Sequence, residues 1–496
     1  MAKVISRRAI LGGLGASLAG PVFANAPERS IRPAPKILDF SKRTIPTAEA
    51  LMADANLGGK IGFVVADSKT GLILEANSPV LPLPPASVAK AITAVYGISS
   101  LGLEHSFATE VIATGPIEAG VVQGDLVLVG GGDPTLDTNA LAGLAKALKA
   151  KGIIAVKGDF VVYGGQLPYQ RMIDPGQPDH LGYNPAVSGL NLNYNRVHFE
   201  WKRAGKDFDV ALDARSGQFR PVVKMAKMQI VDRRGPVYTY DDAMGVDNWT
   251  VARGALGKGG SRWLPVRRPD LYAGEVFQVL ARGEGIRLPG PVVSTTPPKG
   301  TVLAAHRSRA LMDMTRGMLK YSTNLTAEVI GLSASTARGE APTSLATSGA
   351  AMGDWMNTEL GARRAQFQDH SGLSDRSRIS AHDMVKALVS VGPNGYLQGL
   401  MKEVRPLDRK GRPVNDAAYS IRAKTGTLNF VSSLAGYLTA PDGTPLTFAI
   451  FTADLDRRAA IPKAERERPK GAKGWSRQSR WLQQQLLSRW ALTYGT

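Results

Sequence analysis

The 496-residue chain contains no cysteine. That excludes disulfides, thiol nucleophiles and zinc–thiolate sites. Histidine is scarce, with six residues scattered along the sequence (His105, His180, His198, His306, His370, His382). None forms a His-x-x-x-His pair, so a zinc-peptidase site is not expected. Nothing else in the sequence asks for a metal or a cofactor. Beyond the N-terminus no apolar run is long enough to span a bilayer, so no integral membrane segment is expected. Acids are outnumbered, 42 against 61 Lys plus Arg, for a formal charge of +19. Such an excess either favours an anionic partner (nucleic acid, acidic lipid, cell-wall polymer) or is spread over a solvated surface. Basic residues are not interleaved with aromatics outside the C-terminal stretch, so no nucleic-acid partner is expected. With 43% hydrophobic and 21% charged residues, the composition supports a large core.

The first residues speak to location. Lys3, Arg7 and Arg8 precede an apolar, Gly-rich run from Ala9 to about Ala24, and small residues offer cleavage after Ala24 or Ala26. Residues 1–26 read as an export signal. Ser6-Arg7-Arg8-Ala9-Ile10-Leu11 also has the look of a twin-arginine signal, which points to the periplasm.

Residues 61–65 and 72–76 flank a polar Asp67–Gly71 turn and read as a hairpin. A helix is predicted from Ser87 to about Ser99, with Val88, Ala91, Ile92 and Val95 at helical spacing after a Pro pair. Residues 107–129 read as two strands joined by a Gly-Pro turn, 139–151 as a helix, and 153–163 and 190–200 as strands. From 201 to 300 the pattern is turn-rich, with strand-like alternation and a helix near 274–283. Helices are predicted at 308–320 and 323–333, strands at 419–424, 431–439 and 446–453, and a last helix at 475–490. That helix carries Trp481, Leu482, Leu486 and Trp490, read as core-facing. The charged stretch Arg457–Lys473 reads as a solvated, mobile segment.

Three short motifs carry the chemistry. Ser87-Val88-Ala89-Lys90 follows Pro84-Pro85-Ala86, and Ser322-Thr323-Asn324 and Lys424-Thr425-Gly426 come later. Ser-x-x-Lys, Ser-x-Asn and Lys-Thr-Gly in this order mark penicillin-recognising serine acyl enzymes. Serine needs a neighbour to take its proton. Lys90, one turn on, can do so if burial and nearby positive charge keep it neutral. The helix N-terminus and Lys424 would supply that charge. Ser322 is expected to bond both lysines and pass the proton to the departing amine. Asn324 would hold the substrate amide, and Lys424 with Thr425 its terminal carboxylate. Gly426 would let the substrate backbone lie close to the strand. The oxyanion would sit between the backbone N–H groups of Ser87 and Thr427. A second Lys-Thr-Gly, at Lys69-Thr70-Gly71, precedes the serine and falls in the predicted hairpin turn, so it is set aside.

Ser87 and Ser322 are more than twice as far apart in the chain as Ser322 and Lys424. A compact domain of this kind needs far less between its first two motifs, so most of 106–300 reads as an insertion. With that feature the chain resembles the D-alanyl-D-alanine carboxypeptidase/endopeptidases of the class C low-molecular-mass penicillin-binding proteins. Leu83-Pro84-Pro85-Ala86-Ser87, Gly131-Gly132-Asp133-Pro134-Thr135-Leu136, Ser188-Gly189-Leu190-Asn191-Leu192-Asn193 and Asp369-His370-Ser371-Gly372-Leu373-Ser374 carry the likeness. It implies an α/β (α+β) fold. A penicillin-binding transpeptidase/β-lactamase-like domain, an antiparallel sheet flanked by helices, would be built from 27–105 and 301–496. Two nested smaller domains would occupy 106–300. It also implies cleavage of the terminal D-Ala-D-Ala bond of peptidoglycan stem peptides, and of D-Ala cross-links, with β-lactams as inhibitors.

There are departures from the family pattern. Its tryptophan-rich Pro-Gly segment with paired acids reads Pro175-Gly176-Gln177-Pro178-Asp179-His180-Leu181. Asp179 is therefore a candidate partner for the substrate's side-chain amine, or only a turn residue. Ser-Gly-Leu-Ser-Arg is interrupted by Asp375 before Arg376. Leu428 and Asn429, after the Lys-Thr-Gly-Thr strand, either line the pocket or are ordinary strand residues. A β-lactamase would need a glutamate-bearing deacylation loop, and none is evident. A Ser-His-Asp hydrolase would need a Gly-x-Ser-x-Gly elbow, which is missing. A non-catalytic wall-binding scaffold would not need the intact motifs.

Overall fold

The computed structural model describes residues 45–242, 245–408 and 410–495, so the expected export signal lies outside the described residues. Six strands form the sheet that carries the motifs: β1 (Lys60–Asp67), β2 (Ile73–Asn77), β3 (Lys402–Glu403), β4 (Ser420–Leu428), β5 (Val431–Thr439) and β6 (Pro445–Ala453). Their order is β3-β4-β5-β6-β1-β2, antiparallel throughout. The β1–β2 turn holds the set-aside Lys69-Thr70-Gly71, and Asp67 Oδ1 accepts the backbone N–H groups of Lys69 (3.0 Å) and Thr70 (2.7 Å). That is ordinary turn chemistry.

The helices around this sheet are α1 (Ala48–Ala55), α2 (Ala89–Leu101), α3 (Leu311–Tyr321), α4 (Asn324–Ala337), α5 (Leu345–Glu359), α6 (Ala381–Val391) and α7 (Ala472–Tyr494). Strand side chains alternate between faces, and both faces here are covered. Phe63 and Val65 pack with Leu51 of α1 and with Leu482, Leu486 and Trp490 of α7. Val64 and Ala66 pack on the opposite side, in the core built by α2, α4 and α6. The result is three layers, helix, sheet and helix. Helix α2 is buried all round from Ala89 to Ile98, the mark of a core helix. Its alanines favour helix, and Gly102, at φ 86°, ends it.

Between α2 and α3 the chain builds four further sheets among the described residues. The largest has five strands, ordered Pro291–Val293, Phe160–Tyr163, Leu126–Gly130, Ala108–Ala113 and Thr301–Arg307. It shares a separate core with helices Thr138–Ala150 and Pro269–Gly283. Several elements differ from the sequence reading. The expected strand pair within 107–129 carries an extra two-residue hairpin, Ile117–Glu118 with Val121–Val122. Its corner is Ala119-Gly120, both at positive φ (46° and 80°), as a tight hairpin turn requires. The strand expected at 190–200 starts only at Arg196. Asn193, Tyr194 and Asn195 all take positive φ, and Asn195 donates to Ala186 O (2.9 Å) and accepts from Leu192 N (2.9 Å). Side-chain amides thus hold a left-handed turn where periodicity alone suggested a strand.

The segment after β6 is not a free loop. Arg458, 7% exposed, pairs with Asp375 at 2.7 Å. Arg466 donates to Gly176 O (2.6 Å), and Glu467 pairs with His180 (2.8 Å) and Arg262 (2.9 Å). The expected mobile stretch is therefore anchored, because its charges meet partners on three other segments. Among the described residues no helix is long and apolar enough to cross a membrane.

Candidate active site

Ser87 lies in a single 3-10 turn, Ala86–Val88, and the α-helix proper begins at Ala89. The sequence reading started the helix at Ser87. The turn is tight because Ala86 adopts φ 47°, a left-handed conformation that costs a non-glycine residue about 1–3 kcal/mol and persists only where surroundings enforce it. Lys90 sits one turn on and is fully buried. Its Nζ lies 3.2 Å from Ser87 Oγ, 2.8 Å from Asn324 Oδ1 and 2.7 Å from Ser371 O. Asn324 Nδ2 donates to Tyr183 O at 2.8 Å, which fixes the amide's oxygen toward Lys90. Neither that oxygen nor Ser371 O has a proton to give. A neutral Lys90 therefore spends both its N–H groups on them and keeps its lone pair for the Ser87 hydroxyl.

The electrostatics agree. Burial first, then the charge of Lys424, pulls the Lys90 ammonium down to about 7, against the opposing pull of Glu328 and Asp369. Lys424, 3% exposed, donates to Ser322 Oγ (3.0 Å) and Thr425 O (2.8 Å). Burial, with a smaller push from Lys402, lowers it to about 8. Ser322 caps α3 in the left-handed region (φ 59°), its N–H bonded to Met318 O at 2.8 Å. Among the described residues its hydroxyl meets Lys424 alone. The second lysine expected there, Lys90, is bonded instead to Asn324, the first residue of α4.

Gly426 lies against the Ser87 turn. A Cβ there would lie 2.7 Å from Pro85 O and 3.0 Å from Ser87 N. The missing side chain thus lets β4 press against the Ser87 turn. Thr425 and Thr427 are exposed. Leu428 is partly buried against the core. Asn429 is tied to the segment after β6. Its Nδ2 donates to Arg466 O (2.6 Å) and its carbonyl accepts from Arg458 Nη1 (3.0 Å), so it clamps the segment after β6. The Asp179 carboxylate stands 3.9 Å from Lys463 and bonds to no motif residue.

Sequence reasoning missed Glu328. This fully buried carboxylate on α4 accepts the backbone N–H groups of His370 and Ser371, both at 2.9 Å. Asp369 accepts those of Gly372 (2.8 Å) and Ser374 (2.6 Å). Together they fix the loop that offers Ser371 O to Lys90. Burial pushes both carboxyls up, and for Glu328 the charge of Asp369 adds to it. A lone acid in the apolar run Leu325–Leu332 was the available signal, since an acid buried in a core needs partners. His370 is held neutral by burial, and its Nε2 is 2.8 Å from Ser348 Oγ. Among the described residues no cluster of three or more His, Asp or Glu could hold a metal.

A serine at a helix start, a buried lysine beside it and a second lysine on the adjoining strand define a serine acyl enzyme of the penicillin-recognising class. The D-Ala-D-Ala carboxypeptidase 3 (S13) family model matches residues 47–469, and the chain belongs to that family. It is 28% identical to a D-alanyl-D-alanine carboxypeptidase of an Actinomadura species, over 81% of this chain and 79% of that protein. It is 26% identical to the D-alanyl-D-alanine carboxypeptidase DacB of Haemophilus influenzae, over 82% of this chain and 90% of that one. The crystal structure of penicillin binding protein 4 (dacB) from H. influenzae superposes with a TM-score of 0.72 at 20% identity, covering 89% of this chain and 99% of that one. A second structure of that protein, complexed with a β-lactam, gives 0.65 at 22% identity, over 85% and 98%. The fold is thus the mixed α/β one expected, and the chain is a serine-type D-Ala-D-Ala carboxypeptidase by family.

Proposed function

We propose that Ser87 is the nucleophile and neutral Lys90 its base, acting on the D-Ala-D-Ala terminus of peptidoglycan stem peptides. Ser87 Oγ attacks the carbonyl of the penultimate D-Ala as Lys90 takes its proton. The backbone N–H groups of Ser87 and Thr427 stabilise the oxyanion. Lys424 and Thr425 hold the terminal carboxylate, and Ser322, kept in place by Lys424, relays to the departing amine the proton that Lys90 took from Ser87. D-Ala leaves, and water opens the ester to regenerate Ser87. Asn324 orients Lys90 and holds the substrate amide, and Asp179 is kept as a rim contact for the substrate side chain. β-lactams would acylate the same serine.

The observation that carries this reading is the Lys90 environment, two acceptors and one hydroxyl around a buried amine whose charge is disfavoured. The reading extends to location and organisation. Residues 1–26 direct export to the periplasm, and 106–300 form two nested domains within a transpeptidase-like domain of 27–105 and 301–496. The test is D-Ala release from a monomeric pentapeptide by wild type and Ser87→Ala. Wild type should release D-Ala and the variant none; release by the variant sinks the assignment.

A further inference from the structure

Strand β4 is covered on one edge by β5 along its whole length, but on the other β3 covers only Arg422 and Ala423. From Lys424 to Leu428 that second edge has no strand partner among the described residues. Such an edge takes an extended peptide as an added strand. A substrate lying there with its leaving residue's carboxylate at Lys424 meets β3 end-on. Whatever is attached to the leaving residue must then pass over β3.

A cavity of about 500 Å³ lies there, lined by Arg316, Lys320, Lys402, Glu403, Arg405 and Arg422 with Gly399–Met401. Five of these six charged side chains are cationic. Arg316 pairs with Asp313 on its own helix, and Glu403 stands opposite Arg422 in the β3–β4 register. Lys320, Lys402 and Arg405 have no ion-pair partner among the described residues. The groove adjoins the site along β4: its Arg422 stands two residues before Lys424 on the same strand face, and its Lys402 pairs with Ala423, next to Lys424. A leaving D-Ala whose carboxylate is held at Lys424 ends there and carries nothing onward along β3.

We infer that this basic groove receives the second, carboxylate-bearing stem peptide of a cross-linked substrate, making it the leaving-side subsite for cleavage of D-Ala cross-links. The inference rests on the Ser87 reading above. In the step itself, the amide between a D-Ala carbonyl and the second stem's side-chain amine breaks, and the ester to Ser87 forms. The amine departs with a proton delivered through Ser322. Water then splits the ester, leaving one stem ending in D-Ala and another with a free amine.

The test compares a cross-linked stem dimer with a monomeric pentapeptide, using wild type, Arg316→Glu/Arg405→Glu and, as a milder change at one exposed position, Arg405→Gln. The double variant should raise KM for the dimer about tenfold and leave D-Ala release from the monomer within about twofold, since reversing rim charges weakens only the partner that meets them. Wild-type kcat/KM for the dimer should also fall more steeply with added salt than that for the monomer. Rates of acylation by a fluorescent penicillin report whether each variant is folded. Equal effects on both substrates, or no effect on the dimer in either variant, would overturn the subsite. Failure of wild type to act on the monomer would instead overturn the Ser87 reading, and the subsite with it.

Discussion

The six-stranded sheet and the part of the chain between α2 and α3, proposed above as an insertion, solve the burial problem differently. In the first, β5 is buried at every position but Thr439, and β6 at every position but Pro445. In the second, beside a core whose strand Leu126–Gly130 is buried throughout, strand Asp207–Asp213 buries only Asp213, and Gly259–Pro265 only its last two residues. The sheet holds the reacting groups in a dry, rigid frame, where a lysine can be neutral and a carboxylate can organise a loop. The insertion contributes backbone oxygens at the edge: Tyr183 O to Asn324 and Gly176 O to Arg466. The difference teaches that chemistry here depends on burial, whereas the insertion acts through what it touches.

The largest expected effect falls in the frame. Lys90→Met should slow acylation by about 10³-fold, the range for loss of a positioned base, read with a fluorescent penicillin. The pH profile follows from the same two lysines. Below about 7 Lys90 is protonated and cannot act as base. Above about 8 Lys424 loses the charge that holds the carboxylate. A bell-shaped kcat/KM between those limits is expected, and a flat profile across them would break the account.

Glu328→Gln comes next. An amide has only one acceptor oxygen for the two N–H groups, so stability should fall by about 2–3 kcal/mol, measured by urea unfolding. Glu328 also holds the Lys90 pKa up. Its own carboxyl is pushed up to about 8 by burial and the charge of Asp369, so its loss should not move the acid limb of the profile to higher pH.

How much of this was legible follows the same division. Strands β5 and β6 announce themselves as long apolar runs, and Ser87, Lys90, Ser322 and Lys424 stand in short motifs whose spacing is chemical. Glu328 was hidden because its partners are backbone N–H groups of a distant loop, which no side-chain pattern encodes. The strand start expected at 190 rather than at Arg196 was misplaced because asparagine amides there outcompete the ladder. The segment Arg457–Lys473 looked solvated because its partners Asp375, His180 and Arg262 lie far off in sequence. In the insertion, half-exposed strands with frequent turns leave little periodicity to read.

The smaller predictions probe that segment. Asp375→Ala leaves the buried Arg458 with Asn429 O as its hydrogen-bond acceptor, and should cost about 1–2 kcal/mol. Glu467→Ala removes partly exposed pairs to His180 and Arg262. It should cost no more than about 1 kcal/mol, with D-Ala release unchanged. A large loss of activity from Glu467→Ala would mean that the insertion takes part in the chemistry, and would dissolve the contrast drawn above.

The central claim is that Ser87 is the acylated residue. Intact-mass and peptide mapping after exposure to penicillin tests it most directly, with wild type beside Ser87→Ala. The account predicts one penicilloyl adduct, on the peptide containing Ser87, and none in the variant. An adduct elsewhere, or one that survives in Ser87→Ala, would contradict it.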